Sequence, residues 1–222
     1  MVHMPRIRPL PLLLLSVALS GPSLSAQTPA LPQHPTSTPY AGDLSIFETP
    51  GRDQRLQIDR VMDLLHITPG KTVADIGAGG GWLTVRAARR VGRGGKVLAE
   101  DINPKYIDAI RQRAQHENLS NVVEVLGTPD DPYLAPDSLD AALMLKVYHE
   151  IARPQILLTH LRAALKPGAR FGIIDRNGNG ADHGLEEKIV RAEVEAAGFR
   201  QVGRYDFTKA DGQDYFLIFE KK

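Results

Sequence analysis

The stretch that decides the fold reads Val73-Ala74-Asp75-Ile76-Gly77-Ala78-Gly79-Gly80-Gly81-Trp82-Leu83-Thr84. The apolar run that ends at Asp75 predicts a buried strand. The glycines at 77, 79 and 81 predict a loop whose backbone bends sharply and comes close to a ligand. The segment 84–91 predicts a helix, whose first unpaired amides suit an anionic group. A strand, a glycine loop and a helix in this order predict a nucleotide-cofactor site in an α/β sheet.

The spacing of the glycines distinguishes between cofactors. The dinucleotide fingerprint G-x-G-x-x-G requires a glycine at position 82, where this chain has Trp82. The pattern present is D-x-G-x-G-x-G, formed by Asp75, Gly77, Gly79 and Gly81. It resembles the first motif of class I S-adenosyl-L-methionine (SAM)-dependent methyltransferases, in particular small exported members of the type 11/25-like group. The resemblance implies that SAM is the cofactor and that these four residues surround its methionine part and ribose.

A second acidic position ends the next predicted strand. Asp101 lies roughly 20 residues beyond the glycines, where a carboxylate accepts hydrogen bonds from both ribose hydroxyls. The run Asp101-Ile102-Asn103-Pro104 resembles the family's D-x-S-P sequence. The resemblance places Asp101 on the ribose and Ile102 among the cofactor-binding residues, with Glu100 as a weaker alternative. The other interpretation is a solvated carboxylate at the end of a strand.

The loop after the third predicted strand is where the resemblance implies that the adenine binds. The family usually has G-D-A there, whereas this chain has Gly127-Thr128 and then Pro129-Asp130. Thr128 and Asp130 are therefore the candidate adenine contacts, with Asp130 replacing the missing acid. The alternative for Asp130 is turn formation before Pro132.

The candidate catalytic residues are Tyr148, His149 and Glu150, just beyond the fourth predicted strand. Methyl transfer requires alignment of donor and acceptor, and removal of a proton if the acceptor carries one. His149 can serve as the base near neutral pH, and Glu150 can orient it or act as the base itself. The three residues are expected together at the mouth of the site. The alternative is that His149 caps or packs beneath the next helix.

Lys146 lies just before these residues, and its side chain either points away from the cofactor or contacts an anionic acceptor.

Composition and termini divide the chain of 222 residues into three parts. Residues 1–26 have a basic start, an apolar run from Leu10 to Leu19 and the small-residue site Leu24-Ser25-Ala26, which predict a secretory signal peptide and periplasmic or secreted localisation. Residues 27–45 are rich in Pro, Ser and Thr and predict a linker. Residues 46–222 form the predicted SAM-dependent methyltransferase domain. After cleavage no stable membrane span is expected.

Alternating periodicity predicts an α/β fold: a doubly wound, mostly parallel sheet with an antiparallel C-terminal strand. This arrangement resembles the seven-stranded, Rossmann-like methyltransferase fold of the class I family. Helices are predicted at 52–66, 82–91, 104–117, 154–166 and 184–197. Strands are predicted at 71–77, 96–101, 121–126, 139–145, 169–175, 199–207 and 215–220, the last two joined by a polar turn at 210–212.

Composition also limits the partners. The formal net charge is +1, which gives no electrostatic reason to expect nucleic acid, so a small-molecule acceptor is expected. The chain has no Cys, and its 7 His residues lack the H-E-x-x-H spacing, so no metal site is predicted from the sequence. Two alternatives stay open. One is an exported SAM- or nucleoside-binding module or degenerate methyltransferase without turnover, and the other is an NAD-dependent oxidoreductase, which Trp82 and the absence of a Tyr-x-x-x-Lys pair disfavour. Oligomeric state is not predicted.

Overall fold

The computed structural model describes Met1 and residues 35–209 and 213–222. The predicted signal peptide and the predicted turn at 210–212 therefore lie outside the described residues, apart from Met1. The described helices are α1 Arg52–Leu56, α2 Ile58–Leu64, α3 Trp82–Val91, α4 Pro104–His116, α5 Pro154–Ala164 and α6 Glu187–Ala196. The described strands are β1 Thr72–Ile76, β2 Lys96–Asp101, β3 Val122–Leu126, β4 Leu139–Leu145, β5 Leu165–Arg176, β6 Phe199–Tyr205 and β7 Asp214–Lys221. Two 3₁₀ turns add Leu44–Phe47 and Tyr148–Glu150.

These seven strands of the described chain form one sheet in the order β3-β2-β1-β4-β5-β7-β6. The pairs from β3 to β5 are parallel, and β7 runs antiparallel to both β5 and β6. The predicted α/β fold with an antiparallel C-terminal strand is confirmed. Strand β1 pairs with β2 on one side and with β4 on the other, so the strand order reverses there. Ligands of doubly wound folds bind at the carboxyl ends of the strands beside such a point.

The two faces of the sheet carry separate apolar cores because successive side chains of a strand point to opposite faces. On β4, Ala142 and Met144 belong to one cluster, and Ala141 and Leu143 belong to the other. Helices cover both faces, as expected for parallel strands that read as continuous apolar runs. Among the described residues, no helix is both long enough and apolar enough to cross a membrane.

Two differences from the predicted elements go beyond shifts of one to three residues at the element ends. The predicted helix 52–66 is interrupted at Gln57, whose φ of 47° lies in the left-handed region, so α1 and α2 are separate. Helix α5 ends at Ala164, and β5 begins at Leu165, earlier than position 169. Pairing of β5 with β4 shifts register between Leu139 and Ala141, which places Pro167 in an irregular part of the strand, where proline is tolerated.

Leu143 tests this architecture because its side chain is fully buried at the centre of the sheet. Leu143→Ala is expected to lower the free energy of unfolding by about 2–5 kcal/mol, since it removes buried methyl groups and leaves a cavity. Urea denaturation followed by circular dichroism measures the change. The matched control is Leu126→Ala at the end of β3, where the side chain is 50% exposed. Equal losses from the two substitutions would contradict the described core.

Candidate functional site

A cavity of about 620 Å³ opens at the carboxyl ends of β1, β2 and β4, where the strand order reverses. The glycine loop after β1 forms its floor, the end of β2 forms one wall, and the segment after β4 forms another. Residues N-terminal to α1 cover it. The volume lies within the range of about 300–1,000 Å³ found for small-ligand sites.

The glycine loop is held by acceptors from the neighbouring strand. The Gly79 N–H donates to Asp101 Oδ2 at 2.8 Å, and the Gly77 N–H points to Glu100 Oε2 at 3.4 Å. Gly77 has a φ of 67°, and a Cβ there would lie 2.6 Å from the side chain of Val147. No larger residue fits this turn without displacing Val147. The backbone therefore forms the cavity floor directly.

The carboxyl groups of Asp75, Glu100 and Asp101 line the cavity beside the glycine loop, and burial raises the pKa of each. Burial raises the pKa of Asp75 to about 6, partly opposed by the Thr84 hydroxyl, which donates to Asp75 Oδ2 at 2.6 Å. Burial raises the pKa of Glu100 to about 8, partly opposed by the Gly77 N–H. At neutral pH Asp75 is therefore mainly ionised and Glu100 mainly protonated. Burial also raises the pKa of Asp101, partly opposed by backbone N–H groups.

Asp101 and Ile102 both line the cavity. The Asn103 N–H donates to Asp101 Oδ1 at 2.9 Å, so each carboxylate oxygen already accepts one backbone hydrogen bond. A carboxylate oxygen has two lone pairs, so both oxygens retain capacity to accept from a ligand hydroxyl. Ile102 is 38% exposed and presents an apolar surface beside it. This placement fits the predicted contact with a ribose, while the roles themselves remain predictions.

Most, but not all, of the other predicted cofactor residues line the cavity. Asp75, Gly77, Gly79 and Thr128 line the cavity, although the Thr128 hydroxyl is occupied in the turn, where it accepts from the Asp131 N–H at 3.0 Å. Gly81 lies behind the floor as the N-cap of α3.

Asp130 requires a correction, because it lies outside the cavity lining. Its Oδ2 pairs with the Arg153 guanidinium at 2.5 Å. The expectation that Asp130 replaces the missing adenine-binding acid is not supported by its position, since an ion pair directs its carboxylate toward Arg153.

The three candidate catalytic residues follow β4 in a single 3₁₀ turn, and their side chains diverge. Glu150 lines the cavity, and burial raises the pKa of its carboxyl. His149 is 3% exposed and lies behind Glu150, with Nε2 3.8 Å from Glu150 Oε1. His149 Nδ1 lies 2.9 Å from Asp175 Oδ1 at the end of β5. Asp175 therefore fixes the orientation of the imidazole.

Tyr148 requires a correction. Sequence reasoning placed it at the mouth of the site, whereas the structure buries it completely in the core on one face of the sheet. Its hydroxyl donates to Glu193 Oε2 on α6 at 3.0 Å. Burial and the adjacent Glu193 carboxylate raise the pKa of the phenol well above its usual value. The turn of the 3₁₀ helix directs neighbouring side chains to different sides, so Tyr148 cannot face the cavity together with Glu150.

Lys146 points its ammonium away from the cofactor end of the cavity. Its Nζ pairs with Asp214 Oδ1 on β7 at 2.5 Å, although other atoms of Lys146 line the cavity. Of the two interpretations considered from the sequence, this contact favours the first. The positive charge is neutralised within the sheet.

Sequence reasoning assigned residues 36–45 of the covering segment, residues 36–48, to a linker. Ser37 N–H donates to the His149 carbonyl at 3.0 Å, and Tyr40 N–H donates to Glu150 Oε1 at 3.1 Å. The Tyr106 hydroxyl of α4 lies 3.0 Å from the Gly42 carbonyl. Backbone groups and single aromatic rings make these contacts, so hydrophobic periodicity could not have revealed them. The segment forms the roof of the cavity.

Comparisons with known proteins show what this chain is similar to. Residues 74–171 match the family model described as a methyltransferase domain. An uncharacterized methyltransferase of Mycobacterium tuberculosis is 33% identical over 113 residues, which are 51% of this chain and 43% of that protein. The chain therefore matches less than half the length of this relative.

Solved structures share the fold. A SAM-dependent methyltransferase from Aquifex aeolicus superposes with a TM-score of 0.73 at 22% identity, covering 82% of this chain and 100% of that chain. Geranyl diphosphate C-methyltransferase from Streptomyces coelicolor, in complex with Mg²⁺, geranyl diphosphate and S-adenosyl-L-homocysteine, superposes with a TM-score of 0.66 at 14% identity, covering 86% of this chain and 92% of that chain. The described chain thus has the fold of class I SAM-dependent methyltransferases, and residues 74–171 match the methyltransferase-domain model, in agreement with the predicted resemblance. The comparisons support SAM as its cofactor.

The residues present fit this cofactor. SAM carries a positive sulfonium, a ribose diol and an adenine. The cavity offers an ionised Asp75, the spare lone pairs of Asp101 and a floor of bare backbone. Glu100 is a further lining acid, and its Oε1 lies so close to Gly127 that a Cβ there would be 1.9 Å away. The absence of a side chain at position 127 makes room for the Glu100 carboxyl.

Glu100 makes the stability of the protein depend on pH. Its pKa is about 8 in the fold and near 4.5 ordinarily, so folding favours the protonated form. The protonated Glu100 carboxyl stabilises the fold fully below pH 4.5, and this contribution to the free energy of unfolding is lost as pH rises through 8. Glu100→Gln is expected to increase the free energy of unfolding at pH 8.5 relative to the parent, by on the order of a few kcal/mol. Urea denaturation at several pH values measures it.

The control for this prediction is Glu195→Gln, an exposed residue of α6. It should leave the pH dependence of stability unchanged. A Glu100→Gln protein with the same pH dependence as the parent would contradict the buried, protonated state of Glu100. Asp75 still contributes a smaller dependence in both proteins.

Proposed function

We propose that this protein is a SAM-dependent methyltransferase that acts on a small-molecule acceptor. The observation that carries the proposal is the pairing of Asp101 with the glycine loop. A buried carboxylate accepts the Gly79 N–H at 2.8 Å and keeps acceptor capacity toward a cavity whose floor is backbone. The methyltransferase relatives support the same activity.

The charges of the site suit this chemistry. When bound, SAM supplies a methyl group that is already activated by a positive sulfonium, so the protein needs no acid for the leaving group. Asp75, mainly ionised at neutral pH, complements positive charge at the cofactor end of the cavity. Lys146 does not oppose it, because its ammonium is paired with Asp214.

The acceptor end is formed by Glu150 and the covering segment. Glu150 lines the cavity and is the group best placed to accept a proton from an acceptor, with His149 behind it. Tyr40, Leu44 and Phe47 give this end an apolar roof. A roofed cavity favours a small molecule over a polymer, and the net charge of +1 gives no basis for nucleic-acid binding.

We also propose that the protein is exported, to the periplasm or beyond the cell. The basic start, the apolar run and the Leu24-Ser25-Ala26 site of residues 1–26 support this proposal. The acceptor would then be a molecule of the cell envelope or its surroundings.

Titration calorimetry of the purified protein with SAM tests the proposed cofactor site. The parent should bind SAM and give no heat with NAD. Asp101→Ala should weaken SAM binding roughly 10- to 100-fold, because a charge-assisted hydrogen bond contributes about 1.5–3 kcal/mol. The matched control is Asp108→Ala on the exposed face of α4, which should bind as the parent does.

Thermal unfolding of the Asp101→Ala protein shows whether the fold is retained. A folded Asp101→Ala protein that binds SAM as tightly as its parent would contradict the proposed site. Absence of SAM binding by the parent would contradict the proposed function. Tight SAM binding without methyl transfer to any envelope extract would favour the binding module.

Expression of the full chain in a Gram-negative host tests export. Mass spectrometry of the periplasmic fraction should find a mature N-terminus at Gln27, because cleavage follows the small-residue site. The control Leu13→Arg interrupts the apolar run and should retain the precursor in the cytoplasm. An intact Met1 on parent protein confined to the cytoplasm would contradict the proposal.

A further inference from the structure

Two histidines and a carboxylate meet beside the cavity. One donor atom from each of His149, Glu150 and His183 lies within 4.8 Å of the others. His149 and Glu150 belong to the 3₁₀ turn after β4, and His183 belongs to the loop between β5 and α6. Sequence spacing could not reveal this cluster, because the fold joins residues from two separate loops.

Asp175 orients one of the two imidazoles. Both oxygens of this fully buried carboxylate lie close to His149 Nδ1, at 2.9 and 3.0 Å, and its Oδ2 accepts the His149 N–H at 3.1 Å. The opposite nitrogen, Nε2, is thereby directed toward Glu150 Oε1 at 3.8 Å, which is too long for a hydrogen bond. A carboxylate on one imidazole nitrogen and a free second nitrogen is the arrangement that supports metal-ligating histidines.

The covering segment holds the backbone of the residue that carries the other imidazole. Ser37 Oγ accepts the His183 N–H at 2.9 Å and donates to the Gly180 carbonyl at 2.8 Å. His183 has a φ of 57°, and its ring meets that of His149 at a centroid distance of 5.7 Å and an angle of 89°. Contacts from a third segment thus keep the exposed His183 beside the buried His149.

We propose that His149, Glu150 and His183 bind a divalent transition-metal ion of the Zn²⁺ type. Two imidazole nitrogens and one carboxylate oxygen are ligands that Zn²⁺ prefers, and three protein ligands leave an open coordination position. Zn²⁺ holds nitrogen ligands at about 2.0–2.1 Å, so the donor atoms would move closer around an ion. The exposed loop position of His183 allows that movement.

The ion would lie at the wall of the cavity, because Glu150 is also a lining residue. With the metal bound, His149 Nε2 and Glu150 are ligands rather than free bases. The open position would bind a hydroxyl oxygen of the acceptor and lower the pKa of that hydroxyl, so that its proton would leave to solvent and the metal-bound oxygen would be free to accept the methyl group. This role rests on the proposed function, whereas metal binding itself does not.

Metal binding is tested on the full chain, purified without a histidine tag and stripped of metal. Calorimetric titration with Zn²⁺ should show one site, and Co²⁺ should give visible absorption bands on binding there. His183→Ala should weaken Zn²⁺ binding at least tenfold and abolish those bands. His160→Ala is the matched control, because His160 is an exposed histidine that lies beside Asp131 on a different part of the surface, and it should bind Zn²⁺ as the parent does.

Asp175→Asn tests the positioning of His149 and should weaken Zn²⁺ binding about 10- to 100-fold, as loss of an outer carboxylate does in other metal sites. His183 is exposed, so His183→Ala should melt at the parent temperature, and it keeps the test valid if Asp175→Asn unfolds. Absence of Zn²⁺ binding by the parent, or equal binding by parent and His183→Ala, would overturn the proposal and leave His149 as a hydrogen-bond partner of Asp175.

SAM titration of the same preparations separates the two proposals. Zn²⁺ binding by a protein that does not bind SAM would retain the metal site while the proposed function fails. SAM binding by a protein that does not bind Zn²⁺ would retain the proposed cofactor site and overturn the metal site.

Discussion

The site depends on the hydrogen bond between the Gly79 N–H and the Asp101 carboxylate. This contact joins the glycine loop after β1 to the end of β2 at 2.8 Å, and so fixes the cavity floor relative to its wall. The loop can approach only because Gly77 leaves room for Val147, whose side chain would lie 2.6 Å from a Cβ at that position. Backbone geometry and one buried carboxylate together define where a ligand can lie.

The buried acids around this contact show how one fold distributes charge. Asp75, Glu100 and Asp101 cluster within a small region of low polarity, so burial raises the pKa of each. The rise is large enough at Glu100 to leave it mainly protonated at neutral pH. The structure therefore avoids three adjacent negative charges while retaining an ionised group at Asp75. Such perturbed groups in a cavity are a common sign of function.

The sequence predicted correctly those elements that are encoded by consecutive residues. The run from Val73 to Thr84 carries the strand, the loop and the helix start within twelve consecutive positions, and β1, the glycine loop and α3 are found there. The apolar runs also indicated the α/β fold. The break at Gln57 was not visible, because the apolar periodicity continues across it.

Other features depend on contacts between distant residues. His183 lies near His149 only because the loops after β4 and β5 meet beneath Ser37. The composition of residues 36–45 is typical of a linker, yet the fold provides acceptors for their backbone N–H groups at His149 and Glu150. Tyr148 was misplaced because adjacency in sequence does not give a common direction within a 3₁₀ turn. The sequence analysis gave Glu100 only a secondary place, because its burial depends on the space that Gly127 leaves on a neighbouring strand end.

Hydrogen–deuterium exchange with and without SAM tests the central claim most directly, because it maps where the cofactor binds without altering any residue. The account predicts that SAM slows exchange at the amides of 77–81, 101–103 and 105–106 and at the covering segment, residues 36–48. Unchanged exchange at 77–81, with protection confined to another part of the chain, would contradict it.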